Sequence, residues 1–134
     1  MNITNQKKKS LNFSKKILDN VKLKRADLRK ANFKESSLKH ANLIEADLEK
    51  ANLSNTVLDH ANLSGANVAN ASFHNSSLKS AFFVDADLTE ADLSNSNMEK
   101  ADLQNANLKN AEISNVTLNH ANLEEAKLKG ADLA

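Results

Sequence analysis

Three of the four histidines recur inside one repeated phrase: His40, His60 and His120 each fall within Leu-x-His-Ala-Asn-Leu, beginning at Leu38, Leu58 and Leu118. Imidazole is a common metal ligand and the side chain that titrates nearest neutral pH, so this is where chemistry is first sought. Asp59 stands beside His60 as a further donor. The other chemical candidates are charges. Residues 1–34 hold 11 Lys/Arg against 2 Asp/Glu and residues 35–134 hold 7 against 15, a head of +9 on a body of −8. In the body, Asp85, Asp87, Glu90, Asp92, Glu99 and Asp102 crowd into one stretch. The chain has no Cys, Trp, Tyr or Pro, which removes thiol nucleophiles, disulfides and thiolate metal sites together.

Whether any of these residues meet depends on the backbone that carries them. In HANLIEADLEKANL, residues 40–53, Ala stands at 41, 46 and 51 and Leu at 43, 48 and 53. A helix advances about 140° per five residues and would scatter these Leu residues around its surface. A single long strand would send successive ones to opposite faces. Within one repeat, however, Ala and Leu are two residues apart and share a face, so each pentapeptide reads as one short extended side plus a corner.

The central apolar position runs without a phase error from Phe13 to Leu133. Two residues earlier, the 22 positions from Ala26 to Ala131 are Ala at 17, and the five exceptions are Ser36, Thr56, Ser76, Ser96 and Val116. Those exceptions are twenty apart, as are His40 and His60. Four pentapeptides therefore make one coil of a four-sided solenoid, with equivalent sides stacked at about 4.8 Å. Ala suits the narrow interior beside each corner, and Leu or Phe fills the centre. Asn or Asp precedes the central residue at 14 of the 22 repeats, as expected where a side chain must satisfy turn backbone.

Ala-(Asp/Asn)-Leu-x-x in unbroken tandem over residues 26–134 resembles the pentapeptide repeat proteins. The resemblance implies an all-β fold, a right-handed quadrilateral parallel β-helix of about five to six coils of 20 residues. In that family one end is often capped and the protein is often a homodimer. Its members include quinolone-resistance and mycobacterial DNA-mimic proteins that act on DNA gyrase, which makes a type II topoisomerase an implied partner. This chain lacks the repeat-interrupting loop, the C-terminal helical extension and the strong net negative charge of those members.

The ends depart from the pattern. Residues 1–10 read as a disordered basic tail. Residues 11–25 keep Phe13, Leu18 and Leu23 but place Leu11, Lys16 and Val21 where the body has Ala, so they read as an N-terminal cap, in the form of a short helix, or else as a distorted first coil. Residues 26–134 form the β-helix proper. Leu118, Leu123, Leu128 and Leu133 face along the axis of the last coil, and an open edge of that kind is normally covered. A homodimer through this end is expected.

Catalysis needs convergent polar groups in a concavity, and a filled solenoid with tight corners gives none, so no enzyme, cofactor or small-molecule substrate is expected. His40 and His60 would lie on adjacent coils near Asp59, with His120 out of reach; they read as solvated corner residues, and no metal site is assigned. Phe82 occupies an otherwise polar outward position on the same side as Ile44 and Val84, and these three mark a contact surface for an unknown protein partner. The acidic residues named above are the candidate DNA-mimic surface, although Asn and Lys break their columns. The basic head could meet nucleic acid or an anionic surface, but no aromatic residues interleave with it to stack on bases. The longest apolar run is Ala81–Val84, too short to span a membrane, and the sequence reads as a soluble cytoplasmic protein.

Overall fold

A left-handed residue at every fifth position folds this chain into a square. The computed structural model describes residues 11–134, so the tail expected at residues 1–10 lies outside the described residues. From Lys15 to Gly130, each residue whose number is a multiple of five has φ between +56° and +74°. Except after Phe13, Leu53 and Ile113, the central apolar carbonyl two residues before it accepts the N–H three residues further on, as in Ala41 N–H to Leu38 O at 3.1 Å. This is a type II turn, whose second central residue must take positive φ. Only Gly65 and Gly130 use glycine there. Asn, the commonest occupant, and His are among the L-residues that tolerate the left-handed region best. His40, His60 and His120 are all corner residues of this kind, which gives their recurrence a backbone cause.

Between corners the chain is extended and pairs with the residue twenty positions on. Four parallel bridge series begin at Asn12↔Asn32, Ile17↔Ser37, Lys22↔Asn42 and Asp27↔Asp47, and the first continues to Glu112↔Asp132. These series define sides 1 to 4, starting with residues 11–15, 16–20, 21–25 and 26–30 respectively; each step of twenty along a side is called a tier. The described residues contain no helix.

The preference for Asn or Asp before the central residue has a direct explanation. Every Asn and Asp in that position, from Asn12 to Asp132, accepts through Oδ1 the N–H two residues on, at 2.9–3.3 Å. Each is an Asx turn that ties down the donor entering the corner. Inside, the central residues from Leu28 to Leu108 are no more than 2% exposed. Phe73 and Phe83, from opposite sides, meet edge to face across the interior at 5.8 Å, while Phe13 and Phe33 stack along side 1 at 5.1 Å. The inward hydroxyls of side 2 are satisfied locally: Thr56 Oγ1, Ser76 Oγ and Ser96 Oγ donate to the Leu53, Phe73 and Leu93 carbonyls at 2.6 Å. Ser36 Oγ is buried with no partner among the described residues.

Residues 11–25 form no capping helix. They make the same turns and bridge in register to residues 32, 37 and 42, with Leu11, Phe13, Leu18 and Val21 partly buried against the core. Lys16 is exposed. With no described tier beneath it, its side chain reaches water instead of entering the narrow interior. At the other end Leu118 and Leu123 are half-buried, while Leu128 and Leu133 are 40% and 67% exposed.

Candidate interaction surface

His40 and His60 stack face to face, with ring centroids 4.9 Å apart and planes within 4°. Ring nitrogens donate to a metal in the plane of the ring, and two parallel rings aim at different points. Among the described residues no group of three or more His, Cys, Asp or Glu is arranged to hold a metal ion. Asp59 is turned to other work: it accepts from Ser77 Oγ at 2.6 Å and Lys79 N–H at 3.2 Å. Asp19 repeats the arrangement forty residues earlier with Ser37 and Lys39. The Ser37 hydroxyl, supported by the Lys39 N–H and charge, holds the Asp19 carboxyl below its ordinary range.

Sequence reasoning passed over His74, which enters the most connected side-chain chain on side 1. Its Nδ1 lies 2.9 Å from Ser94 Oγ, and Ser94 Oγ donates to Asp92 Oδ1. The single hydroxyl proton goes to Asp92, so His74 Nδ1–H is the donor. Serine sits between the imidazole and the carboxylate, the reverse of a nucleophilic triad, in which His must receive the serine proton. The signal was available, since 74 and 94 share a column once the twenty-residue coil is known.

The acidic residues do not form one surface. Asp87 and Asp92, on sides 4 and 1, are engaged in Asx turns, as is Asp102 on side 3. Asp85 and Glu90 are exposed corner residues, and Glu99 lies on side 2. The basic head is likewise distributed and partly neutralised by the next tier. Lys15 pairs with Glu35 at 3.9 Å and Arg25 with Glu45 at 3.5 Å. Arg29 grips Asp27 with two nitrogens at 2.9 and 2.8 Å and approaches Asp47 at 3.7 Å; the Asp27 contacts raise its pKa further.

Ile44, Phe82 and Val84 do share side 3. The series Lys22↔Asn42, Asn42↔Asn62, Asn62↔Phe82, Phe82↔Asp102 and Asp102↔Asn122 puts Phe82 midway along it. Phe82 is 43% exposed, and Ile44 and Val84 are half-buried at the same edge with Ser64 between them. Phe82 also replaces the Asn or Asp that caps the neighbouring tiers, so Val84 N–H has no Asx acceptor of the kind that serves Ser64 and Gln104. Ile17, 83% exposed on side 2, is a further outward apolar residue, one that sequence reasoning did not mark as surface.

These side-by-side pentapeptide turns have close relatives. The family model for pentapeptide repeats matches residues 17–55, 56–95 and 96–133. The chain belongs to the pentapeptide repeat family, and its fold is that family's right-handed quadrilateral β-helix. It is 32% identical to a pentapeptide repeat protein from the Arabidopsis thaliana thylakoid lumen over 72% of this chain, with a TM-score of 0.55, and spans 63% of that protein. It shares the fold of QnrB1, a plasmid-mediated fluoroquinolone resistance protein, at 19% identity and TM-score 0.52, covering 93% of this chain and 78% of that one. HetL, involved in heterocyst differentiation regulation in the cyanobacterium Nostoc, matches at 28% identity over 90% of this chain and 75% of its own, with a TM-score of 0.42. None of the curated proteins matches the chain. No helix among the described residues is long and apolar enough to cross a membrane.

Proposed function

We propose that the protein is a non-enzymatic scaffold that binds a macromolecular partner through side 3. The observation that carries this reading is Phe82. The position forgoes the turn-capping bond made by Asn62 and Asp102 on either side and presents an aromatic ring to water instead. That exchange gives up a turn-capping hydrogen bond, and aromatic side chains supply much of the energy at contact surfaces. A photo-crosslinking amino acid placed at Val84 is expected to capture a discrete species in cells. That adduct should vanish when Phe82→Asn is added and be absent from the equivalent turn position Lys109 on side 4. Equal labelling from both positions would refute the reading.

The open tier at Leu118, Leu123, Leu128 and Leu133 supports a second proposal, a homodimer joined through that end; a Leu128→Lys/Leu133→Lys variant should lose it. A gyrase-directed DNA mimic is the rival function. The carboxylates it would use point from all four sides, and the similarity to QnrB1 is one of fold. A supercoiling assay with gyrase, run with and without a quinolone, separates the two readings: inhibition or drug protection supports the mimic, and no effect supports the scaffold.

A further inference from the structure

Side 3 changes character along its length. Its first tier carries Lys22, Lys24 and Arg25, all exposed, and its sixth carries Asn122, Glu124 and Glu125, also exposed. The two middle tiers differ chiefly in size. The third presents Asn62, Ser64 and Gly65, the smallest row on this side, and the fourth presents Phe82, Val84 and Asp85, the largest apolar one. The rows are in register: besides the bridges, Gly65 N–H donates to Val84 O at 2.8 Å and Asn105 N–H to Glu124 O at 2.9 Å.

We propose that the partner of side 3 is a second copy of this chain, docked face to face and antiparallel. The two-fold axis would lie in the interface, perpendicular to the rod, between the third and fourth tiers. This rests on the reading of side 3 as a binding face and names its occupant. A two-fold contact must be self-complementary, and this operation pairs tier one with six, two with five and three with four. The cationic row then meets the partner's acidic row, with Lys24 against the partner's Glu124 and Arg25 against the partner's Glu125. The bulky row meets the small one, so that Phe82 and Val84 lie over the partner's Asn62 and the partner's Ser64. The two Phe82 rings come side by side at the axis. In the remaining rows Ile44 faces the partner's Gln104 and Asn42 the partner's Asp102, an amide against a carboxylate. Glu45 faces the partner's Asn105, and its side chain, packed against Gly65, comes near the partner's Asp85 at the corner, where Arg25 already holds Glu45 at 3.5 Å. A parallel arrangement would set cations on cations and carboxylates on carboxylates.

Six tiers at about 4.8 Å make a face about 25 Å long, and one narrow side buries less than the roughly 1,200 Å² of a standard stable interface. The pairing is therefore weak and concentration-dependent.

Sedimentation equilibrium of the full chain, in both the native sequence and the Leu128→Lys/Leu133→Lys background, tests it. In the Leu128→Lys/Leu133→Lys background, which removes end-to-end pairing, the mass should rise from 14.6 kDa towards twice that value as protein reaches hundreds of micromolar. Phe82→Asn restores the residue type found in neighbouring tiers, so it folds, and it should weaken association tenfold or more. Lys24→Glu should weaken it by a similar factor. Lys24→Glu combined with Glu124→Lys should recover it, because the reversed pair is remade across the axis. In that background a chain that stays monomeric at these concentrations overturns the proposal, as does association that ignores Phe82→Asn or a charge reversal that is not rescued. If a different species is captured from Val84 while the chain remains monomeric, self-pairing fails and the binding face survives. If both are absent, the face itself is wrong.

Discussion

The inward hydroxyls of side 2 allow a graded stability prediction from four equivalent positions. In Thr56→Val the shape is kept and the hydroxyl lost. Among the described residues the Leu53 carbonyl accepts only that hydroxyl, since the turn N–H that reaches Phe73 O from Ser76 at 3.1 Å has no counterpart at Thr56. The substitution leaves a buried acceptor unpaired and should cost about 1–3 kcal/mol. Ser76→Ala and Ser96→Ala remove a 2.6 Å bond, but Phe73 O and Leu93 O keep their turn N–H donors, so each should cost about 0.5–1.5 kcal/mol. Among the described residues Ser36 Oγ makes no bond, although the residue is only 2% exposed. Ser36→Ala should be neutral or stabilise by up to about 1 kcal/mol, because burying an unpaired hydroxyl is unfavourable. Urea unfolding of the four variants reads the order directly, provided each shows one transition of unchanged slope. Equal losses at Ser36 and Ser76, or no loss at Thr56, would refute the reasoning from hydrogen bonds.

Three other outcomes follow from the same geometry. At the corners, Asn75→Val forces a β-branched residue to the φ of +62° that Asn75 holds and should cost about 1–2 kcal/mol, whereas Lys50→Asn should be neutral or slightly stabilising, both measured by thermal unfolding. Because the folded Asp19 carboxyl is held below its ordinary value of 3.8 by the Ser37 hydroxyl, its contribution is present above about pH 4 and fades as pH falls through the lower folded value. Asp19→Asn should therefore flatten the acid side of a stability–pH curve while leaving its neutral shape unchanged. Phe82→Asn gains an acceptor for Val84 N–H and should raise the melting temperature even as it removes binding; a lowered melting temperature would mean that the ring serves packing.

Much of this architecture is legible in the chain because a period of five has one simple solution. The Ala and Leu columns report an interior too narrow for variation, and the Asn and Asp preference reports turn donors that need acceptors, which the Asx bonds from Asn12 to Asp132 bear out. The first coil was harder to read because its rule is weaker. Among the described residues the first tier is packed from one side only, so Leu11, Lys16 and Val21 need not be small, and the broken Ala column points to a cap where the described backbone repeats the coil. The pattern on side 3 was invisible for a different reason: Lys24 and Glu124 belong to one surface only after the chain is cut into rows of twenty. The same holds for His74 and Ser94, whose hydrogen bond joins consecutive tiers. The acidic stretch misleads in the opposite sense, since neighbours in sequence turn a corner every five residues and end on different sides.

The central claim is that side 3 is where this rod meets another molecule. A concentration series of ¹⁵N-labelled protein followed by amide chemical shifts tests it residue by residue. In the Leu128→Lys/Leu133→Lys background, which removes pairing through the end tier, the account predicts progressive shifts confined to side 3, around Ile44, Ser64, Val84 and Gln104 and reaching Lys24 and Glu124 at its two ends, with sides 1, 2 and 4 unmoved. Shifts centred on the His74 column of side 1, or spread evenly around the square, would contradict it.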